Sequence, residues 1–300
     1  EGKLRAATNR ACFQVENIEL TGVGTIWAVF LGVRDQAVSE AASEFIISLH
    51  LNLASGVDRR TAWAACFRRC LSHVQPAAST RTGDARLLEK AARIAGFLAC
   101  FIRRLETVLP HAPDLREFPR TVLGEPEYFD TVFDLLLLSD SRVVENAFCL
   151  LQLLPQNKLL VMRLRDFGDA PNWPALLGGE SILRLFYRLQ IVESLTPADG
   201  GLGRRSQQFT ASGGLKHLLG TLLLQHSADD LCASALTLSC VALLLKLITS
   251  FVTSAQEERA GSETLFTLAA VDSGTIVARL LELLRAISGI GDAPQHTKMP

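Results

Sequence analysis

Apolar residues recur at three- and four-residue steps along most of the chain, while the strict alternation of a half-buried strand is nearly absent. In Thr25 to Leu31, "TIWAVFL", and Val38 to Leu53, "VSEAASEFIISLHLNL", this pattern predicts two helices. Val38, Ala41, Ala42, Phe45, Leu49 and Leu53 are expected to form the inner stripe of the second. The connection "GVRDQA" is short, and Asp35 is placed to cap the helix that follows it. A second copy runs from Tyr128 to Leu138, turns at "SDS", and continues from Val143 through Ala147 and Leu150 to Leu154, where Pro155 stops it. A third runs from Leu215 to Leu224, turns near "HSADD" and resumes at Leu231; "VDSGTIVARLLELLRAI" reads as a partial fourth.

Each unit is an apolar helix, a polar turn containing Asp, and a second helix with a small residue (Ala41, Ala147 or Ala235) where close helix approach is expected. One hairpin cannot bury both of its apolar faces, and stacking on neighbours solves this. The expected fold is all-α, an armadillo- or HEAT-like helical-repeat solenoid. Segments rich in Gly, Pro, Ser and Asp predict loops at 75–85, 110–126, 169–180 and 196–208. The expected division is helical repeats over 1–109, a linker over 110–127, armadillo-like repeats over 128–290 and a disordered tail over 291–300. Lacking an initiator Met at Glu1, the chain reads as a processed product or a fragment of something longer.

Composition sharpens this reading. Hydrophobic residues make up 48% of the 300 positions, so much of the chain must be buried. Thirty basic and 31 acidic residues leave a net charge of -1, and the Arg pairs at 68–69, 103–104 and 204–205 are scattered. Nucleic acid is therefore not an expected partner, since a binder shows a clustered basic footprint. The seven cysteines are odd in number, lack a C-x-x-C pair and sit mostly within apolar runs, which predicts reduced, buried thiols. With no Asn-x-Ser/Thr site and no leader pattern, a cytoplasmic or nuclear location is expected.

Catalytic motifs are missing. The only Gly-Lys is Gly2-Lys3, so Gly213-Gly214 is not part of a P-loop; it is expected to provide a bend or close approach ahead of a helix at Leu215. Gly201-Leu202-Gly203 lacks the preceding strand and third glycine of a dinucleotide fingerprint. Neither G-x-S-x-G nor H-E-x-x-H occurs. Cys66, Cys70 and His73 share one helical face, but no fourth ligand is in view and the cysteines read as core residues. Glu257-Glu258 and Asp229-Asp230 lie at expected helix ends, where they suit capping better than acid–base work. No catalytic, cofactor-binding or metal residue is assigned, and no cofactor is expected.

The run Leu231 to Val252 is long enough to span a bilayer. Ser239, Lys246, Ser250 and Thr253 nevertheless fall within an arc of about 60°, and no Trp or Tyr flanks the run. A helix wetted along one stripe is the preferred reading, with a membrane span as its rival.

"FDLLLLSDSRVVENAFCLLQLLPQN", "WPALLGGESILRLFYRLQIVESL" and "FTASGGLKHLL" together resemble the helical, non-catalytic region of the very large ubiquitin-specific proteases of the fat facets type. The matching features are Leu153-Leu154-Pro155, Trp173 with Leu176-Leu177, the run Tyr187 to Leu195, and Phe209 ahead of Gly213-Gly214-Leu215. "ENIELTGVGTIWAVFL" is similar to an armadillo-type unit of the same region. The resemblance implies a scaffold segment of a deubiquitinating thiol protease that positions ubiquitinated substrates or partner proteins. The family's peptidase cysteine follows Asn-Thr and its histidine lies in Gly-His-Tyr; neither motif is present, so no catalytic residue carries over. The expected linker is also too short for the ubiquitin-like domain that the family often carries. The alternative is a stand-alone armadillo-like adaptor without enzyme activity.

Overall fold

The computed structural model describes residues 4–7, 12–17, 20–80, 83–109, 111–168, 171–178, 180–195, 208–257 and 273–288. They are overwhelmingly helical, and the chain divides after Asn157 into two compact units. The first begins with an antiparallel hairpin, β1 (Leu4–Ala7) and β2 (Cys12–Val15), in which Leu4 faces Val15. The periodicity gave no sign of this hairpin, which is four residues long on each side and too short to establish a period. Val15 ties it to the helices through backbone bonds to Asn52 and Ala54.

Helices α1 (Val23–Gly32) and α2 (Gln36–Leu51) form the first predicted hairpin, and the Asp35 carboxylate accepts from the Val38 amide as expected of a cap. The buried face of α2 differs from the predicted stripe. Ser39, Ala42, Ile46, Ile47, Leu49 and His50 are buried, whereas Val38, Ala41 and Phe45 are exposed. The two buried polar groups are satisfied locally, Ser39 Oγ donating to the Phe30 carbonyl and His50 Nδ1 bonding the Ile46 carbonyl, each at 2.8 Å. Such pairing removes most of the penalty for burying them.

Helix α3 (Arg59–Thr80) runs through Pro76 and into the segment expected to be a loop. Ala77 and Ala78 are buried there, and the proline removes only one amide from the end of the helix. Helix α4 (Ala85–Val108) is the hub of the unit, packing against α1, α2, α3 and α7 (Ser141–Leu151). Its inner face alternates Ala91, Ala92, Ala95 and Ala99 with Ile94, Phe97, Leu98 and Phe101, so α7 can come close. Ala147 is fully buried, and a Cβ on Gly96 would lie 3.3 Å from Asn146 Nδ2. The expected linker contains a helix, α5 (Pro113–Leu123), and is followed by α6 (Pro126–Asp134) and a 3-10 turn at Leu135–Leu137. α3 packs on α5 and α6 as well as α4. The α3–α4 hairpin thus meets the following pair first helix to first (α3 on α6) and second to second (α4 on α7). Trp27, Phe30, Phe97, Phe101, Trp63 and Phe67 form a continuous aromatic core, with neighbouring centroids 5.4–5.9 Å apart at the tightest contacts.

The second unit contains α8 (Lys158–Arg165), α9 (Trp173–Leu177), α10 (Ile182–Leu195), α11 (Gly214–Gly220), a π-helical turn at Thr221–Gln225, α12 (Ala228–Cys232), α13 (Ala235–Glu257) and α14 (Ser273–Ser288). The long α13 lies on α10, while α12 packs on α13 and α14. The expected loop at 169–180 holds the one-turn α9, capped by the Asn172 side chain on the Ala175 amide. Most of the expected loop at 196–208 and all of the expected tail at 291–300 lie outside the described residues. Of the three small residues expected at close helix contacts, Ala147 is buried, but Ala41 and Ala235 are exposed.

Candidate functional site

A cleft of about 370 Å³ opens in the first unit between α2, α4 and α7. Its floor is Ala92, Gly96, Phe97 and Cys100, and Gly96 keeps it open by having no side chain. Its walls are polar: Gln36, Ser39, Glu40 and Glu44 from α2, Glu89 and Arg93 from α4, and Arg142 and Asn146 from α7. Arg93 is the keystone. Its guanidinium donates at 2.7 Å to the carbonyls of Phe30 and Val33, neutralising the negative end of α1, and pairs with Glu89 at 2.9 Å. Glu89 also holds Arg142 at 2.6 Å, so its carboxylate joins α4 to α7 and Arg93 extends the network to the end of α1. Burial works to raise the Glu89 pKa, but Arg142 and Arg93 outweigh it and hold the carboxyl below its ordinary range.

Along the cleft, Glu44 pairs with Arg104 at 2.6 Å, and Asn146 Nδ2 donates to the Ala92 carbonyl at 3.0 Å. The cleft is therefore lined by charges that mostly compensate one another, with amide and hydroxyl groups between them. This arrangement can receive a hydrogen-bonding surface, and Glu40 adds a carboxylate that accepts from Gln36 Nε2 at 2.8 Å rather than from a cation. Periodicity missed these residues because they act between helices. The one available signal was Arg93 itself, a lone charge among Ala91, Ala92, Ile94 and Ala95.

The sequence candidates Cys66, Cys70 and His73 separate in space. Cys66 and Cys70 point into the core, whereas His73 stays partly exposed, its pKa lowered by burial and then by Arg69 and Lys90. The imidazole that interacts with Cys66 is instead His50 of α2. No group of three or more potential metal ligands occurs among the described residues. Cys66, Cys70 and Cys240 are buried free thiols, while the free thiols of Cys100, Cys149 and Cys232 are partly exposed.

In the second unit Gly213 has φ of 87° and stands at the N-terminus of α11, so it supplies the expected bend. Gly214 supplies the close approach: a Cβ there would come within 2.6–2.7 Å of three ring carbons of Phe209. That ring is clamped between Trp173, at 4.7 Å, and Phe251, stacked at 4.5 Å. Trp173 Nε1 in turn donates to the Ser212 carbonyl at 2.7 Å. Beyond α11, the Thr221–Gln225 turn is braced by Arg279, whose guanidinium donates to the Leu222 carbonyl at 3.0 Å and to the His226 carbonyl, and pairs with Glu282 at 2.6 Å.

Asp229 and Asp230 occupy the first turn of α12, where their charge suits the helix N-terminus, but the cap itself is Ser227, whose Oγ accepts from the Asp230 amide. Glu257 ends α13; Glu258 lies outside the described residues. Ala235–Thr253 is the one helix among the described residues long and apolar enough to cross a membrane, with a mean hydropathy of 2.1. Within the protein its buried side, including Cys240, Leu244, Leu247 and Phe251, contributes to the packing on α10, while Lys246 pairs with Glu193 at 2.6 Å. No protein-family model, curated protein or solved structure matches the chain.

Proposed function

We propose that the chain is a non-catalytic helical-repeat scaffold that holds a partner protein in the cleft between α2, α4 and α7. The observation that carries this reading is the like-on-like stacking of α3–α4 on α6–α7, the contact pattern that armadillo-type repeats use to extend a binding surface. The cleft beside that stack supports it further, since Gln36, Ser43 and Asn146 place polar groups among its charged side chains. At the finer level, the resemblance over 134–218 suggests that the scaffold is a segment of a large ubiquitin-specific protease, and the partner a ubiquitinated substrate or an associated protein. Fluorogenic ubiquitin incubated with this chain alone, and with the extended parent protein, tests that assignment. Silence from the chain with turnover by the parent is expected. Turnover by the chain alone contradicts the non-catalytic reading, and silence from the parent leaves the stand-alone adaptor as the correct class.

A further inference from the structure

Helix α14 (Ser273–Ser288) is anchored by its inner face and open on its outer one. Leu283 and Arg279 are buried, and the Arg279 guanidinium binds the Leu222 and His226 carbonyls, which fixes the orientation of the helix. On the other side Val277, Leu281, Leu284 and Ile287 keep 55%, 48%, 60% and 54% of their surface, and Leu280 is half-buried beside them. No other helix among the described residues exposes more than two large apolar side chains in this way. At 3.6 residues per turn, Val277, Leu280, Leu284 and Ile287 fall within an arc of about 80°, with Leu281 along its edge. A contiguous apolar face of this kind marks an interaction surface.

We propose that this face binds a second copy of the same chain, the two α14 helices crossing antiparallel about a two-fold axis at the level of Glu282. The spacing selects that partner. Val277, Leu280, Leu284 and Ile287 follow one another at steps of three, four and three residues, so the row reads the same in either direction. Turning one helix over sets Val277 against Ile287 and Leu280 against Leu284 of the second copy, apolar on apolar at every level. This is the self-complementarity that a two-fold interface requires, and its steps are those of a helix seam. The charges fit the same crossing. Glu282 is already paired with Arg279, and Arg285 comes level with 279 of the second copy, about 9 Å along the axis from that copy's own Arg285. A parallel pairing would set the two Arg285 side by side. One face of a helix about 24 Å long and about 10 Å wide is smaller than the roughly 800 Å² per partner of a standard interface, so the association is weak and depends on concentration.

Sedimentation velocity of the full chain over a concentration series, with hydrogen exchange at its lowest and highest points, tests this directly. The expected result is a mass that rises from one chain towards two, with the added protection confined to α14 peptides. Leu284→Glu, at a site 60% exposed, should leave the circular dichroism unchanged and weaken association by about tenfold or more, because its carboxylate would be buried against Leu280 of the second copy without a partner. Val277→Glu and Ile287→Lys chains should each associate less than the wild type, and more strongly mixed than alone, since the antiparallel crossing brings 277 to 287. A chain that stays monomeric across the series overturns the proposal. So does a dimer that Leu284→Glu leaves intact, or one whose protection lies outside α14, and mixing without gain overturns the antiparallel crossing. If a variant fails to fold, the wild-type mass and exchange pattern still decide.

Discussion

Replacing Gly214 with alanine adds one carbon where three atoms of the Phe209 ring would lie within 2.7 Å. The ring has little room to yield, because Trp173 lies on one side at 4.7 Å and Phe251 is stacked against it at 4.5 Å. Overpacking of this kind costs about 1–3 kcal/mol. Against it stands a gain of about 0.4–1 kcal/mol from the reduced freedom of the unfolded chain. The net expectation is a loss of about 1–2 kcal/mol, or a melting temperature lower by roughly 2–8 °C for a unit of this size. Gly213→Ala separates conformation from sterics. The nearest atoms to its added Cβ are one carbon and the nitrogen of the Trp173 ring, 4.0 Å away, so only the left-handed φ of 87° is penalised, at about 1–2 kcal/mol before the same gain is subtracted. Hydrogen exchange on peptides covering 208–225, read beside thermal unfolding, should report faster local opening in both variants and the larger effect at Gly214. A Gly214→Ala chain with unchanged exchange and an unchanged or higher melting temperature would refute the close-approach argument.

Three further outcomes follow from the same geometry. Arg279→Met leaves the Leu222 and His226 carbonyls without their donor, and should cost about 2–4 kcal/mol, seen as lost exchange protection in both 221–226 and 273–288. Trp63→Phe keeps the aromatic packing on Phe101 and removes the bond to the His50 carbonyl; it should cost about 1–2 kcal/mol in urea unfolding. The depressed Glu89 pKa contributes stability that is present above the unfolded-state value near 4.5 and lost as pH falls through the folded value below it. Glu89→Gln should therefore flatten the acid limb of the stability profile below about pH 4.5, and an unaltered acid limb would show that the Arg93–Glu89–Arg142 bridge is energetically silent.

The helical periods were legible in the sequence where hydrophobic spacing alone decides. The α1–α2 and α6–α7 pairs, the Asp35 cap and the bend at Gly213 all follow from local chemistry. What failed was the choice of face on α2. Ser39 and His50 are polar and lie outside the expected stripe, yet each finds a carbonyl partner inside, at Phe30 and Ile46. The sequence pattern carries no record of such partners. Pro76 and Pro119 misled for a related reason: both lie inside helices whose other residues are well placed, and proline removes one bond without abolishing the packing around it. The cleft was the least legible feature, because Glu44, Glu89, Arg142 and Asn146 are brought together by helices far apart in the chain. Cys66 and Cys70 could be placed on one face from spacing, whereas His50 is brought beside Cys66 only by the packing of α2 on α3.

The most direct test of the scaffold reading is hydrogen exchange of the chain with and without an excess of a ubiquitin-conjugated protein. The account predicts added protection in the α2, α4 and α7 peptides that carry Glu44, Arg93 and Asn146, lost when Asn146 is replaced by a bulky lysine that fills the cleft. Protection elsewhere with the cleft peptides unchanged, or no protection at any peptide, would contradict the claim that this cleft receives the partner.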